Sequence, residues 1–141
     1  METFSMNSVV EEWITKAEAD YDTACRESRV RKRPNCDAVC FHSQQCLEKL
    51  FKAILIQHRI VFPKTHDLEM ILNMCLARYP LWEAIRPDVK LLSRYAVQFR
   101  YPGESANRQE ARRAVQIMRR CRDELRHALG LPPATGKRRR K

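Results

Sequence analysis

An all-α fold, an antiparallel up-and-down bundle of four to five helices, follows from three observations on the sequence. Apolar residues recur at helical spacings of three and four through several long stretches, and only three glycines interrupt the 141 residues. The pattern contains no strand pair, glycine-rich phosphate loop or internal repeat, so packing amphipathic helices against one another is the simplest way to bury the apolar faces. With 44% hydrophobic residues the chain has material for one modest core. Residues 1–131 are therefore expected to form one helical domain and residues 132–141 a basic, disordered tail.

The first helix is expected to open at Ser8, whose spacing to Glu11 is that of a capping box. Val9, Val10, Trp13, Ile14, Ala17, Tyr21, Ala24 and Cys25 carry its apolar face to about Arg29. Pro34 disfavours helix at Arg33, so Arg29 to Pro34 reads as a basic connector. The second helix runs from about Asn35 to His58. Its apolar side holds Val39, Cys40, Ser43, Cys46, Leu47, Leu50, Phe51 and Ile54, and Gln45, Glu48, Lys49 and Lys52 are expected opposite. Phe41 and Ile56 break that polar side and mark either a second covered surface or scattered exposed hydrophobes.

Thr65, after Pro63, is expected to cap a third helix with His66 and Asp67 in its first turn and Leu68, Ile71, Leu72, Cys75 and Leu76 on its apolar face. Pro80 and Pro87 interrupt the next stretch, and Val89, Leu92, Tyr95, Ala96 and Phe99 predict a fourth helix ending before Tyr101-Pro102-Gly103. The last helix is expected over Ser105 to Leu129, with Ala114, Val115, Ile117, Met118, Cys121, Leu125 and Leu129 inward and Gly130 and Pro132 as its stop.

Six cysteines lie scattered among apolar helical positions without a Cys-x-x-Cys knuckle, which favours small buried side chains over a metal or disulfide framework. No metal or cofactor is expected. The net charge is +10, and Lys137 to Lys141 supply five of those charges, leaving +5 for the rest. A tail of this kind either attracts polyanions or serves as a solvated appendage. No apolar run approaches membrane-spanning length, and Met1 to Ser8 lacks the basic-then-apolar order of a signal peptide. A cytoplasmic protein is the expectation.

The run Phe41, His42, Gln44, Gln45, Glu48, Lys49, followed by Pro63, Thr65, His66 and Leu68, resembles the bacterial and archaeal HEPN domains. Trp13, Ala17, Asp20 and Tyr21 resemble that family's first helix, and Arg100-Tyr101-Pro102 resembles the break before its last one. The resemblance implies a helical binding module, a homodimer, pairing with a minimal nucleotidyltransferase, and nucleotide or RNA as ligand. HEPN ribonucleases place an Arg four to six residues before a His near the end of the last helix, and Arg122 with His127 fits that pattern.

The resemblance thus implies a metal-independent endoribonuclease, of the kind that acts as a toxin, as the alternative to a binding module. His127 would be the acid or base and Arg122 the stabiliser of phosphate charge, with Arg120 and Asp123 in support. A purely structural interaction domain is the third reading. On an ideal wheel Arg122 lies about 140° from His127, whereas Arg120, Asp123 and His127 share the side opposite the apolar stripe. A sheltered site there needs a second subunit. Some members carry, two residues after the motif His, a Tyr that the partner modifies with adenylate; that position is Leu129. His42, Gln45, Lys49, His66, Arg119 and Arg126 are the candidate nucleotide or nucleic-acid contacts, each with ordinary packing, capping or solvation as its second reading.

Overall fold

The computed structural model describes residues 7–133. Among them are five α-helices and no strand: α1 (Ser8–Ser28), α2 (Cys36–Gln57), α3 (Leu68–Cys75), α4 (Arg86–Gln98) and α5 (Arg108–Ala128), with a 3₁₀ segment over Pro80–Ile85 before α4. The all-α bundle expected from the sequence is the fold observed. Lys137 to Lys141 lie outside the described residues, as does most of the expected tail.

α2 is the central helix and packs against α1, α3, α4 and α5. Its pairing with α1 is antiparallel: Lys52 lies over the Trp13 ring, Asp20 meets His42 and Lys49, and Ser28 shares a small cavity with Cys36. α5 also runs antiparallel to α1, with Arg108 near Val30, Arg119 near Cys25 and Arg122 on Glu18. Every residue assigned to the inner sides of α2 and α5 is buried there, because both helices keep their apolar residues at i, i+3, i+4 and i+7. Burying Phe51, Leu47, Leu50, Ile54, Ile117, Met118 and Leu125 fully stabilises the bundle by roughly 1.5–3 kcal/mol per large side chain before ordering costs.

Several boundaries differ from expectation. Asn7, not Ser8, caps α1, its side chain accepting from the Val9 amide at 2.7 Å. Asp67, not Thr65, caps α3 by accepting from Glu69 and Met70, so His66 stays in the preceding loop. α5 begins at Arg108 rather than near Ser105, because Asn107 and Glu110 form a reciprocal capping box. Pro80 and Pro87 open helical segments instead of breaking one; at N1 or N2 the missing amide proton costs no helical bond.

The polar side expected on α2 is also different. Glu48 and Lys52 are buried rather than solvated, as is the neighbouring Gln44. Trp13 and Phe62 flank the Lys52 ammonium at 5.8 and 5.9 Å, and the loop between α2 and α3 crosses above. Of the two hydrophobes on that side, Ile56 packs against the core, whereas Phe41 remains exposed.

Candidate functional site

Glu48 anchors a polar cluster where α2 meets the loop before α3. Lys52, one turn along the helix, donates to Glu48 Oε2 at 3.0 Å, and Gln44, one turn back, donates to Oε1 at 3.1 Å. His66 Nδ1 donates to the same carboxylate at 3.0–3.1 Å. Gln44 also donates to the His66 carbonyl at 3.0 Å, and Gln45 donates to Gln44 Oε1 at 2.8 Å. Burial alone raises the Glu48 carboxyl, but the bonds from Gln44, Lys52 and His66 outweigh it and hold the group below the usual carboxylate range. The loop is thus fastened to α2 through charge-assisted bonds in addition to the packing of Ile60 and Phe62 against the core.

With Nδ1 committed to Glu48, His66 keeps Nε2 for other partners, and 71% of its side chain is open to solvent. It lines a cleft of about 390 Å³ with Gln44, Thr65, Asp67, Ser93 and Arg100. The Ser93 hydroxyl oxygen accepts from the Leu68 amide at 3.0 Å, which leaves its proton to donate. A second depression of about 360 Å³, lined in part by Phe41, Tyr95 and Phe99, shares Ala96 and Arg100 with the first. The two form a groove beside α2 with a cation, an imidazole and a hydroxyl at one end and aromatic rings at the other, within the size range of small-molecule sites.

Two more candidates meet around α1. Asp20, 8% exposed, accepts from His42 Nδ1 at 2.7 Å and from Lys49 Nζ at 2.6 Å. His42 and Lys49 are therefore held in place by a structural carboxylate. Gln45 is half-buried beside Gln44, and its amide protons go to Gln44 and Glu48.

On α5 the candidates separate. Arg122 is buried against α1: its Nε donates to both Glu18 oxygens at 3.1 Å, and its guanidinium carbon sits 3.7 Å from the Tyr21 ring centre. Burial alone lowers the Arg122 pKa, but bonding to Glu18 outweighs it and raises the group above its ordinary value. Arg126 donates to Glu18 at 3.2 Å and to the Pro132 carbonyl at 3.0 Å. His127 and Asp123 are exposed, with Arg120 on the same side donating to Asp88 at 2.6 Å. Arg119, exposed, donates to Cys25 Sγ at 3.6 Å. Within one chain, Arg122 and His127 do not converge.

Residues that sequence reasoning did not assign to a site are Arg100 and Ser93 in the cleft, and Asp20, Glu18 and Tyr21 beneath the candidate cations. Arg100 had a signal, its place in the Arg-Tyr-Pro break. Ser93 had none, since the partner that fixes it lies 25 residues away in the chain. Among the described residues no group of His, Cys, Asp and Glu is arranged to hold a metal ion, and no helix is long and apolar enough to cross a membrane. A family model, the HEPN domain, matches residues 10–128. No curated protein and no solved structure matches the chain.

Proposed function

The chain belongs to the HEPN domain family, and from that premise we propose that it is a helical binding module whose groove beside α2 takes a nucleotide, free or as part of a nucleic acid. The observation that carries this reading is convergence. Gln44 from α2, Thr65 to Asp67 from the following loop and Arg100 from the end of α4 line one cleft, although the chain separates them widely. Arg100 offers a planar fork suited to phosphate oxygens, the Ser93 hydroxyl adds a donor, and His66 Nε2, opposite the Nδ1 proton given to Glu48, adds an acceptor for a ribose hydroxyl or a base amino group. Phe41, Tyr95 and Phe99 supply the apolar surface that a base or ribose covers.

The test is fluorescence anisotropy with labelled ATP and with a labelled five-nucleotide RNA at low salt. Arg100→Gln and His66→Ala each remove one ligand contact and should weaken binding tenfold or more, with unchanged helical circular dichroism. If the wild-type chain binds neither probe, or both variants bind as tightly as wild type, the reading is lost and a purely structural domain replaces it.

Homodimerisation and a complex with a nucleotidyltransferase belong to the same proposal. Exposed Phe41, Val97 and Tyr101 support a subunit contact, and family membership supports the enzyme partner. The endoribonuclease reading has narrower support. Arg122 is buried on α1 against Glu18 and the Tyr21 ring, away from His127, so an exposed His127 needs an arginine from a second subunit.

A further inference from the structure

The connector between α1 and α2 is fixed from both ends. Its last amide donor, that of Asn35, bonds to Glu27 Oε2 at 2.7 Å, while the Arg108 guanidinium at the start of α5 donates to the carbonyls of Val30 and Arg31. Between these ties Arg29, Arg31, Lys32 and Arg33 are all exposed. Arg33 has a φ of 52°, in the left-handed region that disfavours any residue bearing a Cβ. A basic side chain is thus displayed from backbone that glycine would suit better.

Arg112, exposed on α5, adjoins this segment through a small cavity it shares with Ser28, Pro34 and Cys36. The nearest acids are already engaged: Glu27 with the Asn35 amide, and Asp37 with the Ala106 amide at 2.7 Å. Among the described residues, none of Arg29, Arg31, Lys32, Arg33 and Arg112 takes part in a salt bridge. Five cations therefore stand without an ion-pair partner on one backbone-fixed surface, with Glu27 and Asp37 as the flanking acids.

We propose that this connector, with the first turns of α5, is a docking surface for the phosphodiester backbone of a single-stranded nucleic acid, gripped without regard to sequence. Four of the five cations are arginines, whose forks match phosphate oxygens. Phosphate contacts carry no sequence information, and Val30 and Pro34 are the connector's apolar residues, too little to insert into a lipid surface. It flanks the opposite side of α2 from the nucleotide groove: Cys36 and Val39 border one, Asp37, Ala38 and Phe41 the other. The surface stands whether or not that groove binds a mononucleotide.

The test uses the full chain and a fluorescein-labelled 20-nucleotide poly(U), titrated from low to moderate salt. Each phosphate contact on a single strand contributes about 0.7 to the slope of log affinity against log salt. The triple variant R31Q/K32Q/R33Q should flatten that slope by about 2 and weaken binding at least tenfold at low salt. A control triple, R59Q/R78Q/K90Q, removes equal charge from exposed residues at the other end of the bundle and should change the slope by less than about 0.7. Arg33→Gly, which keeps the left-handed backbone, should remove about one contact without lowering thermal stability. Equal losses in the two triples would overturn the assignment, as would connector-dependent binding to phosphatidylserine vesicles with none to poly(U).

Discussion

Replacing Glu48 with Gln keeps the size of the side chain and removes the charge that holds the loop to α2. Lys52, whose side chain is 7% exposed, would then be a buried ammonium facing a neutral amide. Breaking a buried pair from one side costs about 3–5 kcal/mol, much of it the stranded partner's desolvation. We expect about 3 kcal/mol. Unfolding entropy of roughly 2.1 cal/mol/K per residue over 141 residues gives near 0.3 kcal/mol/K, so the melting temperature should fall by about 10 °C. Circular dichroism at 222 nm against temperature and urea measures both quantities. In the double variant Glu48→Gln/Lys52→Met no charge is stranded, so its loss should fall short of the sum of the two single losses by about 1.5 kcal/mol or more. A Glu48→Gln loss below about 1 kcal/mol, or strict additivity in the cycle, would refute the reasoning.

Three further outcomes follow from the same geometry. Because Glu48 titrates below its unfolded value, the stability it contributes is fully present above the unfolded pKa and is lost as pH falls through the folded one; wild type should therefore lose more stability than Glu48→Gln between about pH 5 and 3, measured by urea melts at each pH. Arg122→Ala leaves Glu18 with Arg126 as its one remaining partner and strips the face of Tyr21, so it should cost about 2 kcal/mol, whereas exposed His127→Ala should change stability by less than about 0.5 kcal/mol, both read from urea midpoints. The six cysteines are buried and free among the described residues, and burial pushes Cys40, Cys75 and Cys121 up to about 12; a thiol reagent at pH 8 should label the native chain far more slowly than the urea-unfolded chain.

The helices were legible because apolar periodicity is local: the spacing from Val39 to Ile54, or from Ala114 to Leu129, needs only its own segment. Caps were legible to within a few residues. Asn7 stands beside Ser8 and Asp67 two residues after Thr65, and which polar group reaches the free amides depends on where the chain turns. The polar side of α2 misled because a helical wheel knows nothing of a loop that folds back, so Glu48 and Lys52 looked solvated until Trp13, Phe62 and His66 covered them. Arg122 had no local signal either, since Glu18 lies 104 residues away in sequence.

The candidate site was half legible. His66, Gln44 and the Arg100 break stood out as separate motif fragments, yet their common cleft exists only because the first half of α2, the loop before α3 and the last part of α4 are packed together. The exposed connector was visible as a basic run. That Arg108 fixes its carbonyls was not, because that contact joins residues 77 and 78 positions apart.

The most direct test of the nucleotide groove is a two-dimensional ¹H–¹⁵N titration of the full chain with ATP. The cleft predicts saturable shifts concentrated at Gln44, His66, Ser93 and Arg100, lost in Arg100→Gln. Saturable shifts confined to other faces, or none at millimolar ATP, would contradict it.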